Sequence, residues 1–313
     1  MVSSILTLLL LAAAPAADTP VATVGSEAVL LGEARRTLDE ALRGKKLSAE
    51  LLPYARAQVL EDLVARRLVL AYARRLEQWP SQEDLAAAKA RALGQAAAQG
   101  RTLPAVLGAA SADEADVERQ LAWNVLWAQY LAKYLTAERE EVYFQAHRRE
   151  LDGTELLVSH VLLQSRPDKT QPGGIEQLVR RAEEIRGEIV AGKLSLAEAA
   201  RKYSAGPSGR DGGRLGWIGR RGPMDEVFSR AAFALQPGQI SPPVRGPFGV
   251  HLIRCDQVRP GSKALSDVRR EVEDALAREL LEKLAGIERQ HVPVRYTAAW
   301  PHFKPGTREL AEP

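Results

Sequence analysis

The 313-residue chain contains a single cysteine, Cys255. A lone thiol excludes an internal disulfide and leaves thiol-pair or cysteine-based metal chemistry without ligands. The five histidines are scattered and offer no zinc-site spacing, so neither a metal nor a cofactor is expected. Runs of like charge are also missing. No five consecutive residues share a sign, and a net charge of +3 is too small to argue for nucleic acid. Residues 151–259 hold 16 Lys and Arg against 12 Asp and Glu, while residues 18–150 hold 18 against 19; the middle is mildly basic and its flank near neutral. Beyond the first residues no segment approaches a membrane-spanning run.

The first residues are different in kind. ILTLLLLAAAPAA (Ile5–Ala17) is apolar, uncharged and shorter than the ~20 residues a bilayer needs. It ends in Ala14-Pro15-Ala16, a small-x-small cleavage pattern, and residues 1–16 are expected to be a secretory signal peptide. No cysteine lies near the cleavage site, so no lipid anchor is indicated.

From Leu51 to Leu135 the apolar period is helical: Leu60, Leu63, Val64, Leu68 and Ala71 share one face. Ser81 with Asp84, and Ser111 with Glu114, have the spacing of helix caps. The second leads into Val117, Leu121, Val125, Ala128 and Leu131, and Gly100 and Pro104 punctuate the stretch between. Near the end, Val268, Val272, Leu276, Leu280, Leu284 and Ile287 form a stripe opened by Ser266. VPVRY (Val292–Tyr296), with Pro293, reads as an edge strand, and its expected partner is VATVG (Val21–Gly25). The remainder, WPHFKPGTRELAEP, is expected to be disordered or loosely docked.

Residues 154–259 change period. Strand-like ELLVSHVLLQ precedes a helical stripe at Leu178, Ala182, Ile185 and Ile189. A capping box, SLAE (Ser195–Glu198), opens another helix. A glycine-rich loop follows, ending in GGRLGW, then a helix near Asp225–Leu235 and the strand GVHLIRCDQV, in which Cys255 reads as a half-buried packing residue. Strands and helices in this order describe a compact α+β domain inserted in a helical one.

Five pieces occur in order across this region: SHVLL (Ser159–Leu163), GGRLGW (Gly212–Trp217), MDEVFSRAAFAL (Met224–Leu235), GQISPPV (Gly238–Val244) and FGVHLIR (Phe248–Arg254). Together they resemble the parvulin-type (PpiC-like) peptidyl-prolyl cis-trans isomerases. The flanks look like the SurA-type exported foldases, whose first segment starts with a strand like VATVGSEAVLLGEA and is completed by the C-terminal helix. The resemblance implies an α+β parvulin-like domain, a small antiparallel sheet with surrounding helices, inserted into a discontinuous, mainly helical chaperone-like domain. The boundaries expected are 17–150 for the N-terminal helical domain, 151–259 for the isomerase domain, 260–298 for the completing helix and strand, and 299–313 for the tail.

The same resemblance implies function. The protein would be an exported prolyl isomerase and folding chaperone of the periplasm or extracytoplasmic space. Its partners would be unfolded or nascent exported chains containing proline. Leu215, Met224 and Phe228 match the family's proline-pocket residues, and His160 and His251 match its paired histidines. The family's Asp or Cys falls at Gly206, its Thr or Ser beside the histidines at Gly246, and an Asp at Arg214. Two polar partners have become glycine, with Ser204 or Ser208 as possible substitutes, so a weakly catalytic holdase or peptide-binding module stays open as an alternative. Gln164, Lys169 and Thr170 stand where phosphate-directed members carry basic residues, which implies no preference for phosphorylated substrates. Arg210, Arg214, Arg220 and Arg221 form a basic rim that is either a solvated surface or a bias toward acidic segments.

Overall fold

The computed structural model describes residues 16–44, 47, 52–107, 114–164, 174–222, 224–246, 248–307 and 309–311. All of the expected leader but its last residue, the Ser111 cap, and Lys169 and Thr170 lie outside these. In chain order the elements are β1 (Pro20–Val24), β2 (Glu27–Leu30), α1 (Leu31–Leu42), α2 (Leu52–Arg75), α3 (Gln82–Gln99), α4 (Leu103–Leu107) and α5 (Glu114–Tyr134). There follow α6 (Ala137–Ala146), α7 (Arg148–Leu151), β3 (Glu155–Leu163), α8 (Ile175–Val190), α9 (Leu196–Tyr203), β4 (Arg214–Gly219) and α10 (Glu226–Phe233). The chain closes with β5 (Val244–Gly246), β6 (Gly249–Arg259), α11 (Leu265–Glu288) and β7 (Val294–Tyr296). They form two compact units, one from Met1–Thr136 with Ala275–Pro313 and one from Ala137–Asp274.

In the first unit α2 is the central helix. Leu60, Leu63, Val64 and Leu68 are buried as their spacing predicts and Ala71 is half-buried, but Val59, Val69 and Leu70 are buried too, because the helix is covered on more than one side. Even Arg67 is buried, with its guanidinium donating to both oxygens of Glu33 at 2.8 and 3.0 Å. Ser81 caps α3 by accepting the Asp84 N–H, and Gly100 ends it in the left-handed conformation at φ 60°. The expected pairing of the chain's two ends is present. β1 is central in a three-stranded sheet, with β7 antiparallel to it at Ala22–Tyr296 and Val24–Val294.

Four expectations change here. The last helix begins at Leu265, before Ser266, and the Asp267 carboxylate accepts the Ala264 N–H at 2.8 Å in the capping role. Ile287 at the end of its stripe is exposed, and the position turned inward is Glu288, only 1% exposed. That carboxylate is held by Arg75 through contacts of 2.7, 2.9 and 3.2 Å, which an apolar period does not register. The tail is docked rather than loose: Trp300 is buried with its indole N–H donating to the Arg56 carbonyl at 2.8 Å, and Phe303 is buried and bridged to Leu310. On α5, Val117 and Leu121 are buried, but Val125 is only half-buried and Ala128 is exposed. These two help to line a groove of about 400 Å³ with residues of α3 and α4, including Ala88, Ala92 and Leu107.

The second unit is built on an antiparallel sheet in the order β4-β3-β6-β5. Val161, Leu163, Val250 and Leu252 face α8 and α9, while Leu156, Val158, Ile253 and Cys255 face α10. Both faces of the central strands are therefore covered. Cys255 is fully buried, not half-buried, and burial pushes its thiol up. The GGRLGW segment also differs from its reading as a loop: Arg214–Gly219 is strand β4, paired with β3.

Candidate active site

The two central strands carry the two histidines. His160 lies opposite Ile253, and His251 lies opposite Leu162, so the histidines are diagonal neighbours on the face that α10 covers. Both are buried, at 7% and 4% exposure, with Nδ1 atoms 3.3 Å apart. Phe228, on α10, sets the edge of its contact against both rings, with centroids 5.7 and 5.3 Å away. Burial drives the pKa of His160 down to about 4, with the neighbouring His251 adding to the effect. His251 is lowered as well, again by burial, and the Asp225 carboxylate opposes that shift. Both imidazoles are therefore neutral at pH 7.

The capping box at Ser195 and Glu198 forms as expected and starts α9, which delivers the chain to the glycine loop. The Ser204 hydroxyl accepts the Leu162 N–H at 3.0 Å, and the Ala205 N–H donates to the Leu162 carbonyl at 2.7 Å, pinning the loop against β3. The turn Pro207–Asp211 then places Ser208 Oγ 3.0 Å from His160 Nε2. A Cβ on Gly206 would stand 3.6 Å from the same nitrogen. Position 206 is thus within reach of the histidine, but the polar group that arrives there belongs to Ser208. At Gly213 the backbone is left-handed at φ 82°, and a Cβ would be 2.1 Å from the His160 carbonyl oxygen. Only glycine allows that approach, through which the His160 N–H reaches the Gly213 carbonyl at 2.8 Å.

The pocket candidates meet in one place. Phe228 belongs to the buried cluster on the α10 face, and Leu215 and Met224, both half-buried, pack against it. An apolar surface that begins in the core and ends at solvent therefore lies beside the histidine pair. Gly246 carries no side chain to the pair, and among the described residues His251 Nε2 is buried without a hydrogen-bond partner. Of the basic rim, Arg210 and Arg214 are exposed. Arg220 is tied to Glu150 at 2.8 Å and to Glu226 at 2.7 Å, and Arg221 to Glu271 at 3.1 Å, so half of the rim is already neutralised. Asp225 was expected only as part of a helix; its nearness to the histidines had no local signal, since the two strands lie on either side of it in sequence.

Residues 160–257 match the model of the rotamase family, the PPIC-type PPIase domain. Over 142 residues the chain is 37% identical to the chaperone SurA of Bordetella parapertussis, which spans 45% of this chain and 24% of that one. It is 30% identical over 259 residues to the chaperone SurA of Thiobacillus denitrificans, spanning 79% of this chain and 58% of the relative. The foldase protein PrsA of Bacillus subtilis is 32% identical over 109 residues, 35% of this chain and 36% of PrsA. The chain thus covers less than two thirds of the length of each of these relatives. Its middle segment matches the PPIC-type PPIase domain, and the chain that carries it is similar to SurA chaperones and PrsA foldases.

Proposed function

We propose that this protein is a peptidyl-prolyl cis-trans isomerase and folding chaperone that acts on X–Pro bonds of unfolded exported chains outside the cytoplasm. The observation that carries the reading is the apolar surface of Leu215, Met224 and Phe228 beside a neutral histidine pair. Rotation about a peptide bond meets a barrier of roughly 18–20 kcal/mol because amide resonance is lost. A thousandfold acceleration needs only about 4 kcal/mol of differential stabilisation. The twisted amide is less dipolar than the planar one, so a surface that grips the pyrrolidine ring and a site that sheds water favour it.

Ser208 and His160 stand at the distance of a nucleophile and its base. The chemistry does not follow, because an imidazole with a pKa near 4 accepts a proton poorly at neutral pH. The pair serves better as a fixed polar frame. Export is supported by the leader pattern at residues 1–16. Among the described residues no helix is long and apolar enough to cross a membrane. The groove between α3, α4 and α5, with Ala88, Ala92, Leu121 and Val125 inside and Asp84 and Arg91 at its margin, supports a chain-holding role for the helical unit.

A second reading, a holdase with feeble catalysis, draws on the bare positions at Gly206 and Gly246. Cis/trans exchange of an X–Pro peptide followed by NMR separates the two. The isomerase reading expects exchange above background that falls on Met224→Ala. Background exchange together with full suppression of client aggregation would leave only the holdase.

A further inference from the structure

We propose that Asp225 is a positioning residue for the histidine pair, acting from the start of α10 in place of the side chain that position 246 does not carry. The inference rests on the isomerase reading of this site. Asp225 has two oxygens with separate surroundings. Oδ1 accepts the Phe228 N–H at 2.9 Å and caps α10. Oδ2 borders the space at Gly246: a Cβ placed there would be 3.2 Å from His251 Nε2 and 3.8 Å from Asp225 Oδ2. The imidazole edge and the carboxylate therefore line the same gap. His251 Nε2 is buried and has no hydrogen-bond partner among the described residues, and the Asp225 carboxylate is the charged group that acts on the ring.

A carboxylate only accepts, and its charge favours a proton on the nitrogen that faces it. With Nε2 of His251 protonated, its Nδ1 must accept. His160 Nδ1–H then donates across the 3.3 Å contact, which leaves His160 Nε2 to accept from the Ser208 hydroxyl at 3.0 Å. One charge on α10 orders three groups from β6, β3 and the glycine loop, and sets the direction of every hydrogen bond among them. Phe228 packs edge-on against both rings and contributes no competing polar atom.

The test uses Asp225→Ser in the full-length protein, because serine keeps the helix cap while removing the charge. Histidine side-chain 15N–1H spectra report which nitrogen of His251 bears the proton. Wild type is expected to show the Nε2–H form. In Asp225→Ser the Nε2–H preference and the titration midpoint of His251 are expected to fall, and X–Pro exchange to drop by about tenfold. Adding Gly246→Ser, which brings a hydroxyl to Nε2 at the cost of a slight ring displacement, is expected to restore the Nε2–H form. An unchanged tautomer and midpoint in a folded Asp225→Ser protein would reduce Asp225 to a helix cap and overturn the proposal. If serine does not support folding, Asp225→Asn, which keeps both shape and cap, is read by the same spectra. Absence of exchange in wild type would remove the isomerase reading, yet the spectra would still decide the role of Asp225.

Discussion

Ser208 Oγ stands 3.0 Å from His160 Nε2, although 48 residues separate the two in sequence. The contact fills the polar position that Gly206 leaves bare. Ser208→Ala is expected to lower X–Pro exchange by about tenfold and, because it strips the buried His160 Nε2 of its partner, to cost about 1 kcal/mol of stability. Gly206→Asp is expected to raise exchange. Its backbone is extended at φ −76° and ψ 155°, and the new Cβ would meet only ordinary contacts of 3.6 to 3.7 Å. NMR exchange rates on both variants check the pair; a folded Gly206→Asp with no gain would show that Ser208 already supplies what the site needs.

The two units are expected to separate in function. Met224→Ala removes part of the apolar surface beside Phe228 and should lower exchange several-fold, by roughly 1 kcal/mol, while aggregation suppression stays. Ala128→Trp fills the groove between α3, α4 and α5 and should do the opposite. Exchange and light-scattering assays on each variant form a two-by-two comparison, and parallel losses in both assays would count against two independent surfaces.

Acid should unfold the second unit early. An unfolded histidine titrates near 6.5, and folded His160 near 4. The buried neutral ring therefore contributes stability above pH 6.5 that is lost as the pH falls through 4, in total on the order of 3 kcal/mol. His251 shifts in the same direction, with the Asp225 carboxylate partly offsetting it. Urea unfolding at pH 7 and pH 4.5 measures the loss. His160→Gln should remove most of the histidine share of that difference; an equal pH effect in the variant would place its origin elsewhere.

Arg75→Ala should be costly for the helical unit. It leaves the Glu288 carboxylate, 1% exposed, without its three contacts. Stranding a buried charge costs about 3 kcal/mol or more. Replacing both residues, with Glu288→Leu added, should recover most of the loss in thermal unfolding, whereas a surface pair would show little effect in either variant.

Much of this molecule was legible locally. Ser81 and Ser195 cap helices as their spacing predicts, because a hydroxyl three residues before a backbone N–H is a short-range relation. The pairing of the chain ends followed from β-branched strands with a proline at an edge. The residue types of the pocket and of the histidine pair were legible through the family pattern. What failed lay where solvent access changes along one element, as at Ile287 and Ala128, or where a short segment takes its partner from far away, as β4 does from β3.

Residue order by itself therefore determined the main helical stripes, the Ser81 and Ser195 caps, the strand pairing of the ends, and which apolar side chains and imidazoles were available. Tertiary packing alone decided that Ser208 and not Ser204 meets His160, that Asp225 shares a gap with His251, and that Glu288 rather than Ile287 turns inward. Capping depends on atoms a few bonds apart. Hydrogen-bond direction and charge at a buried site depend on surfaces brought together by folding, across tens to hundreds of residues.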